Sequence, residues 1–220
     1  MKIFELSASD EYFLLYQKTK NPESGFPILW FNDRVPLSEN WIPVEVEIDW
    51  QHHFNKRRKK KLSSADFPSH TLGSLIMSKH AAESLRDYLS AYGELLPLAC
   101  DEAEFWVLNV LKEVDALDYE RSCPAFEGRE MTPPFKSFGK QTGILSPFAF
   151  HTERLEHVDI FCLPGRRGWY FTENFVKKVE SLGLTGFTVR CEFDSEAHRY
   201  GFDDLGRPLT APRNQQESPL

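Results

Sequence analysis

Acidic side chains are the residues of this chain best placed to do chemistry, and they fall into three groups. Asp101, Glu102 and Glu104 lie between two apolar runs, Asp115, Asp118 and Glu120 follow the second run, and Glu45, Glu47 and Asp49 alternate with Val44, Val46 and Ile48. Paired carboxylates do general acid–base work when an apolar pocket raises the pKa of one of them. Nothing in the sequence isolates a carboxylate in that way, so the plainer reading of each group is a solvated acidic rim. Such a rim can still steer a basic partner, because opposite charges accelerate encounter and suppress wrong pairings. All nine residues are therefore candidates for partner contact, with no catalytic residue assigned.

Other chemistries lack their residues. Zinc needs three or four converging ligands, usually with one close pair. His52 and His53 are adjacent, so an extended backbone sends them to opposite faces, and His151 and His157 flank an apolar segment. Structural histidines are the expectation, with no metal and no cofactor. No Gly-x-Ser-x-Gly elbow is present. Cys162 and His157 are five apart, which separates them across a strand. The glycines of 165–168 and 139–143 lack the spacing and following helix of a phosphate loop and read as turns. Cys100, Cys123, Cys162 and Cys191 have no Cys-x-x-Cys spacing and read as reduced thiols.

The net charge of -7 conceals an asymmetry. Lys56, Arg57, Arg58, Lys59, Lys60 and Lys61 form one basic block, leaving 20 basic and 33 acidic residues elsewhere, a balance of -13. A nucleic-acid face would spread its cations among aromatic and polar readers. This block reads instead as a solvated loop. No signal-like or membrane-spanning apolar run is present, so the expectation is a soluble, cytoplasmic protein without a membrane partner.

Two similar units must position these residues. In the first, Leu75-Ile76-Met77 leads through Ser78 into an amphipathic helix over 79–92, then Gly93 and the strand 95–100. In the second, Trp169-Tyr170-Phe171 leads through Thr172 into a helix ending near Leu182, then Gly183 and the strand 187–193. Ser78 and Thr172 are expected to cap their helices, and Gly93 and Gly183 to end them in the left-handed conformation. Ala81, Ala82, Leu85, Tyr88, Leu89 and Tyr92 form the first helix's apolar face; Phe175, Val176, Val179 and Leu182 form the second's. Residues 105–111 read as a central strand, 158–163 and 169–171 as a hairpin, and 13–16, 28–31 and 41–50 as further strands. The fold class is α+β, with mainly antiparallel sheet and two strand–helix–strand units packed on one side. The expected organisation is N-terminal strands over 1–55 in the same domain, a basic loop over 56–72, a core over 73–199 and a flexible tail over 200–220.

Residues 105–122, with Asn109-Val110 followed by Asp115-Ala116-Leu117-Asp118 and Ser122, resemble the signature of the Imm-eleven family, formerly a domain of unknown function. The capped segment 169–175 and Gly183-Leu184-Thr185-Gly186 are similar to the same family's C-terminal helix and strand entry. The likeness covers about residues 70–195, with a weaker trace through Trp41-Ile42-Pro43. The resemblance implies an immunity protein of a polymorphic toxin system, used in competition between bacteria. Such a protein is not an enzyme, and it neutralises a cognate toxin domain in the producing cell's cytoplasm. Secreted nuclease-like toxins, associated with the family, suit an acidic partner surface. Asn109 and Ser122 also have a structural reading, as satisfiers of backbone groups. Two other classes compete: a small cytosolic enzyme with an unrecognised carboxylate or histidine site, and a nucleic-acid-binding module using residues 56–61. A buried carboxylate or histidine in a concave pocket would mark the enzyme, and a continuous basic face the nucleic-acid binder.

Overall fold

The apolar stripe of the first helix is realised as Ala81, Ala82, Leu85 and Leu89, all buried. The computed structural model describes residues 1–7, 9, 11–19, 34–50, 62–70, 74–118, 148–165, 168–196, 199–202 and 208–210. In chain order the elements are β1 (Lys2–Leu6), β2 (Leu14–Gln17), β3 (Val46–Asp49), β4 (Ser69–His70), β5 (Ile76–Ser78), α1 (Lys79–Leu89), β6 (Gly93–Leu98), β7 (Phe105–Val110), β8 (Ile160–Phe161), β9 (Tyr170–Thr172), α2 (Glu173–Ser181), β10 (Val189–Asp194), β11 (Arg199–Phe202) and β12 (Pro208–Thr210). Among these strands every pairing is antiparallel except β2 with β4, so the chain is α+β with mainly antiparallel sheet.

The two helices belong to different sheets with the same local plan. β7 lies between β5 and β6 and is antiparallel to both, which makes β5 and β6 parallel neighbours of a shared central strand. β1 stands in the same relation to β9 and β10. Single bridges join the sheets, Glu45 with Ala99 and Glu113 with Cys162. Tyr88 of α1 and Phe175 of α2 stack with ring centroids 6.0 Å apart, so the helices meet over one core. β7 is packed on both faces: Leu108 and Val110 enter the core shared with the helices, while Phe105 and Val107 enter a second cluster with Phe13, Leu15 and Val46. Its lack of polar alternation follows from that double burial.

Several local expectations change. Ser78 caps α1, its Oγ accepting from the Ala81 N–H at 3.2 Å. Thr172 does not cap α2; its hydroxyl donates to Asp159 Oδ1 at 2.7 Å instead. Gly183 is left-handed at φ 66°, as its place after a helix predicts. Gly93 opens β6 without a positive φ, and it must be glycine because a Cβ there would lie 2.0 Å from the Asn109 carbonyl oxygen. Leu182, expected in the core, is an exposed large hydrophobic. A bulge opposite Ile3 and Phe4 breaks the alternation of β10 and turns Glu192 inward, where it is buried against Arg190 Nε at 2.5 Å.

Within the expected loop over 56–72, residues 62–70 are part of the core. Leu62, Ala65 and Phe67 are buried, and Ser69–His70 pairs with β2. The basic run 56–61, Ser122, Cys123 and the expected strand 28–31 lie outside the described residues. In the expected tail, β11 and β12 extend the edge of the largest sheet. Cys100, Cys162 and Cys191 are free thiols, and burial pushes the Cys162 and Cys191 thiols up.

Candidate functional site

Two of the three acidic groups meet at one surface. The Glu45–Ala99 bridge brings the start of β3 beside the end of β6, and the β6–β7 loop carries Asp101, Glu102 and Glu104 there. Lys18, just after β2, sits among them. Its backbone N–H donates to the Glu45 carbonyl at 2.9 Å and its Nζ lies 3.4 Å from Asp101 Oδ2. The Asp101 hydrogen bond and charge, with smaller contributions from Glu45 and Glu47, hold the Lys18 ammonium above its ordinary pKa. Glu102 accepts from Trp50 Nε1 at 3.2 Å, and Glu104 from Lys79 Nζ at 2.9 Å. All three loop acids are exposed, as are Glu45 and Glu47. The patch therefore has five carboxylates against two ammonium groups. Asp49 does not join it. It is 4% exposed and accepts from the Tyr16 hydroxyl at 3.3 Å. Burial, then the Asp49 charge, pushes the Tyr16 phenol up to about 12.

The third group divides. Asp115 is exposed, 3.6 Å from Arg154 Nη1. Asp118 is only 7% exposed, because Leu117 bridges Phe150 and the Asp118 N–H donates to the Ala149 carbonyl at 2.9 Å. This pairing draws the expected polar segment into the core. Asp118 lines a cavity of about 240 Å³ with Phe150, His151, Thr152, Glu153, Phe193, Asp194 and Ser195. The sequence marks Asp118 only; its companions come from segments far along the chain. Glu120 lies outside the described residues.

The remaining signature residues hold the fold. Asn109 is buried, and its amide donates to the Val35 carbonyl at 3.0 Å and to Glu94 Oε2 at 3.1 Å. Glu94 also accepts from the Leu37 N–H at 2.8 Å, so the pair fastens residues 35–38 to β6 and β7. Thr185 of the Gly-Leu-Thr-Gly segment donates through both N–H and hydroxyl to Asp66 Oδ2 at 3.0 Å, while Ser78 Oγ donates to Asp66 Oδ1 at 2.9 Å. Burial raises the Asp66 carboxyl, but these hydrogen bonds outweigh it and leave the pKa below the ordinary range. Asp159 behaves likewise: burial opposes its charge, and hydrogen bonds from Tyr88, Thr172, Asn174 and Tyr92 more than compensate. The sequence gave no signal for Asp66, Glu94 or Asp159, since isolated carboxylates look solvated until their donors are folded around them.

Residues 99–191 match the family model described as Immunity protein family (Imm11), so the resemblance carried by Asn109, Asp115 to Asp118 and the Gly-Leu-Thr-Gly segment is upheld over that span. No curated protein matches the chain. Among the described residues no three His, Cys, Asp or Glu side chains are grouped to hold a metal ion, and no helix is long and apolar enough to cross a membrane.

Proposed function

We propose that this chain is an immunity protein of a polymorphic toxin system, which binds and neutralises a cognate toxin domain in the cytoplasm of the cell that makes both. The match of residues 99–191 to an immunity protein family carries this reading. The roles of Asn109 and Thr185 agree with it, because they build a rigid scaffold and leave recognition to the loops it carries. The contact surface proposed is Glu45, Glu47, Asp101, Glu102 and Glu104, with Asp115 at its margin. A basic toxin such as a nuclease would be steered to this patch, and occupation of its active site or substrate groove would block it.

The cavity at Asp118 supports a second reading, an enzyme, because a buried carboxylate and His151 share a concave site. One experiment separates the two. The toxin domain encoded beside this gene is titrated with the purified chain and residual toxin activity is measured. Binding predicts a sharp endpoint near one equivalent, with a stable complex on gel filtration. Complete inactivation by a small fraction of an equivalent would establish turnover and remove the inhibitor reading.

A further inference from the structure

We propose that the cavity beside Asp118 is a receptor for the guanidinium group of an arginine side chain presented by a partner polypeptide. Three carboxylates reach it from separate elements: Asp118 after β7, Glu153 in the helical turn over 152–155, and Asp194 at the end of β10. Phe150 and Phe193 line it with ring centroids 5.7 Å apart and planes inclined by 59°. Acidic and aromatic walls together select a cation with an extended flat face, which aromatic rings attract and carboxylates hydrogen-bond.

The local charge was weighed group by group. Lys2 Nζ lies 3.8 Å from Asp194, His151 Nδ1 lies 3.2 Å from Glu153, and the Met1 amino group donates to Ser195 Oγ at 2.7 Å. Asp118 is the most enclosed of the three acids, and each carboxylate has about four acceptor positions, so existing contacts leave capacity for a ligand. The carboxylates do not converge as metal ligands do, and a polyatomic cation with several donors spans them better. Guanidinium fits best: it is planar, weakly hydrated and carries five N–H donors in a fixed fork, whereas ammonium is a compact, strongly hydrated point charge. Arginines are also common anchors of protein interfaces. That the arginine belongs to the toxin rests on the immunity reading; the chemistry of the cavity does not.

The test uses the whole chain and capped amino acids. N-acetyl-arginine amide, N-acetyl-lysine amide and the uncharged isostere N-acetyl-citrulline amide are titrated separately while the resonances of Phe150, His151 and Phe193 are followed by NMR. Saturable shifts with the arginine compound, weaker response to lysine and none to citrulline are expected. Asp118→Asn should weaken arginine binding about tenfold, as loss of a charge-assisted hydrogen bond implies. Asp194→Asn, on a more exposed side chain, supplies the same comparison should Asp118→Asn fail to fold. No saturable shift, an equal response to citrulline or lysine, or unchanged affinity in the folded variants overturns the proposal. Arginine binding by a chain that fails to protect against toxin would instead remove the immunity reading and keep the cavity's chemistry.

Discussion

At the scale of single residues, three glycines show how one residue type is required for different reasons. Gly183 has a positive φ in open space, so alanine there meets only the left-handed backbone penalty, about 1 kcal/mol. Gly186 combines φ +83° with a Cβ position 2.5 Å from both Ala65 Cβ and the Phe67 carbonyl oxygen. Gly93 would drive a Cβ into backbone of β7. Alanine at Gly93 or Gly186 is expected to cost about 3 kcal/mol, measured by urea unfolding, with Gly183→Ala clearly milder. Equal costs at all three would show that backbone conformation alone explains them. Asp159 gives a parallel case. Tyr88→Phe removes one donor to it and should cost about 1 kcal/mol, whereas Asp159→Ala strands four partners at once and should cost about 3 kcal/mol. The sequence showed a lone aspartate after Val158, and neither its donors nor its burial can be read from neighbours in the chain. Gly183, by contrast, was legible because a helix end announces itself locally.

At the scale of elements, the recognition surface is shared between β3 and the β6–β7 loop. Reversing Asp101, Glu102 and Glu104 to Lys should slow toxin association and weaken protection. The effect should be largest near 0.01 M salt, where the Debye length is about 30 Å, and smaller at 0.1 M, where it is about 10 Å. Folding should survive, since exposed substitutions usually cost within about 0.5 kcal/mol each. Toxin-challenged growth and association kinetics at the two salt concentrations provide the measurement; unchanged kinetics in the folded triple variant would take the loop out of the interface. The helices, the hairpin and the central strand β7 were legible from periodicity, because a helix stripe or a doubly buried strand is written in consecutive residues. The convergence of Glu45 and Glu47 with Asp101 was not, because it depends on the single bridge between Glu45 and Ala99. Asp49 and Asp118 were misread as solvent-facing for a similar reason: Tyr16 and the strand-like segment 148–150 cover them from elsewhere in the chain.

At the scale of the whole molecule, the half-buried carboxylates predict how stability responds to acid. Asp66, Glu94 and Asp159 all titrate below their ordinary range in the folded state, each because hydrogen bonds outweigh the opposing effect of burial. A depressed folded pKa means that the unfolded chain takes up protons first as pH falls. The stabilisation is complete above the unfolded values, roughly pH 4, and is lost below them as pH drops through the folded values. Thermal unfolding midpoints should therefore hold nearly level from pH 7 to 5 and fall steeply below about pH 4. In Asp159→Asn that fall should be shallower, since one of the three titrating groups is gone. A midpoint that climbed between pH 5 and pH 3 would contradict the assignment.

The central place of β1 has a consequence for synthesis. Glu5 is held by Arg190, 185 positions later, and the strand that joins β9 to β10 is among the first segments to leave the ribosome. Its partners emerge near the end of translation, so β1 must wait unpaired while the β5–α1–β6–β7 unit, whose contacts are local, can already form. Pairings of such long range make the last step of folding slow. The largest sheet therefore closes only when the chain is almost complete, and the protein gains its final form late and nearly at once.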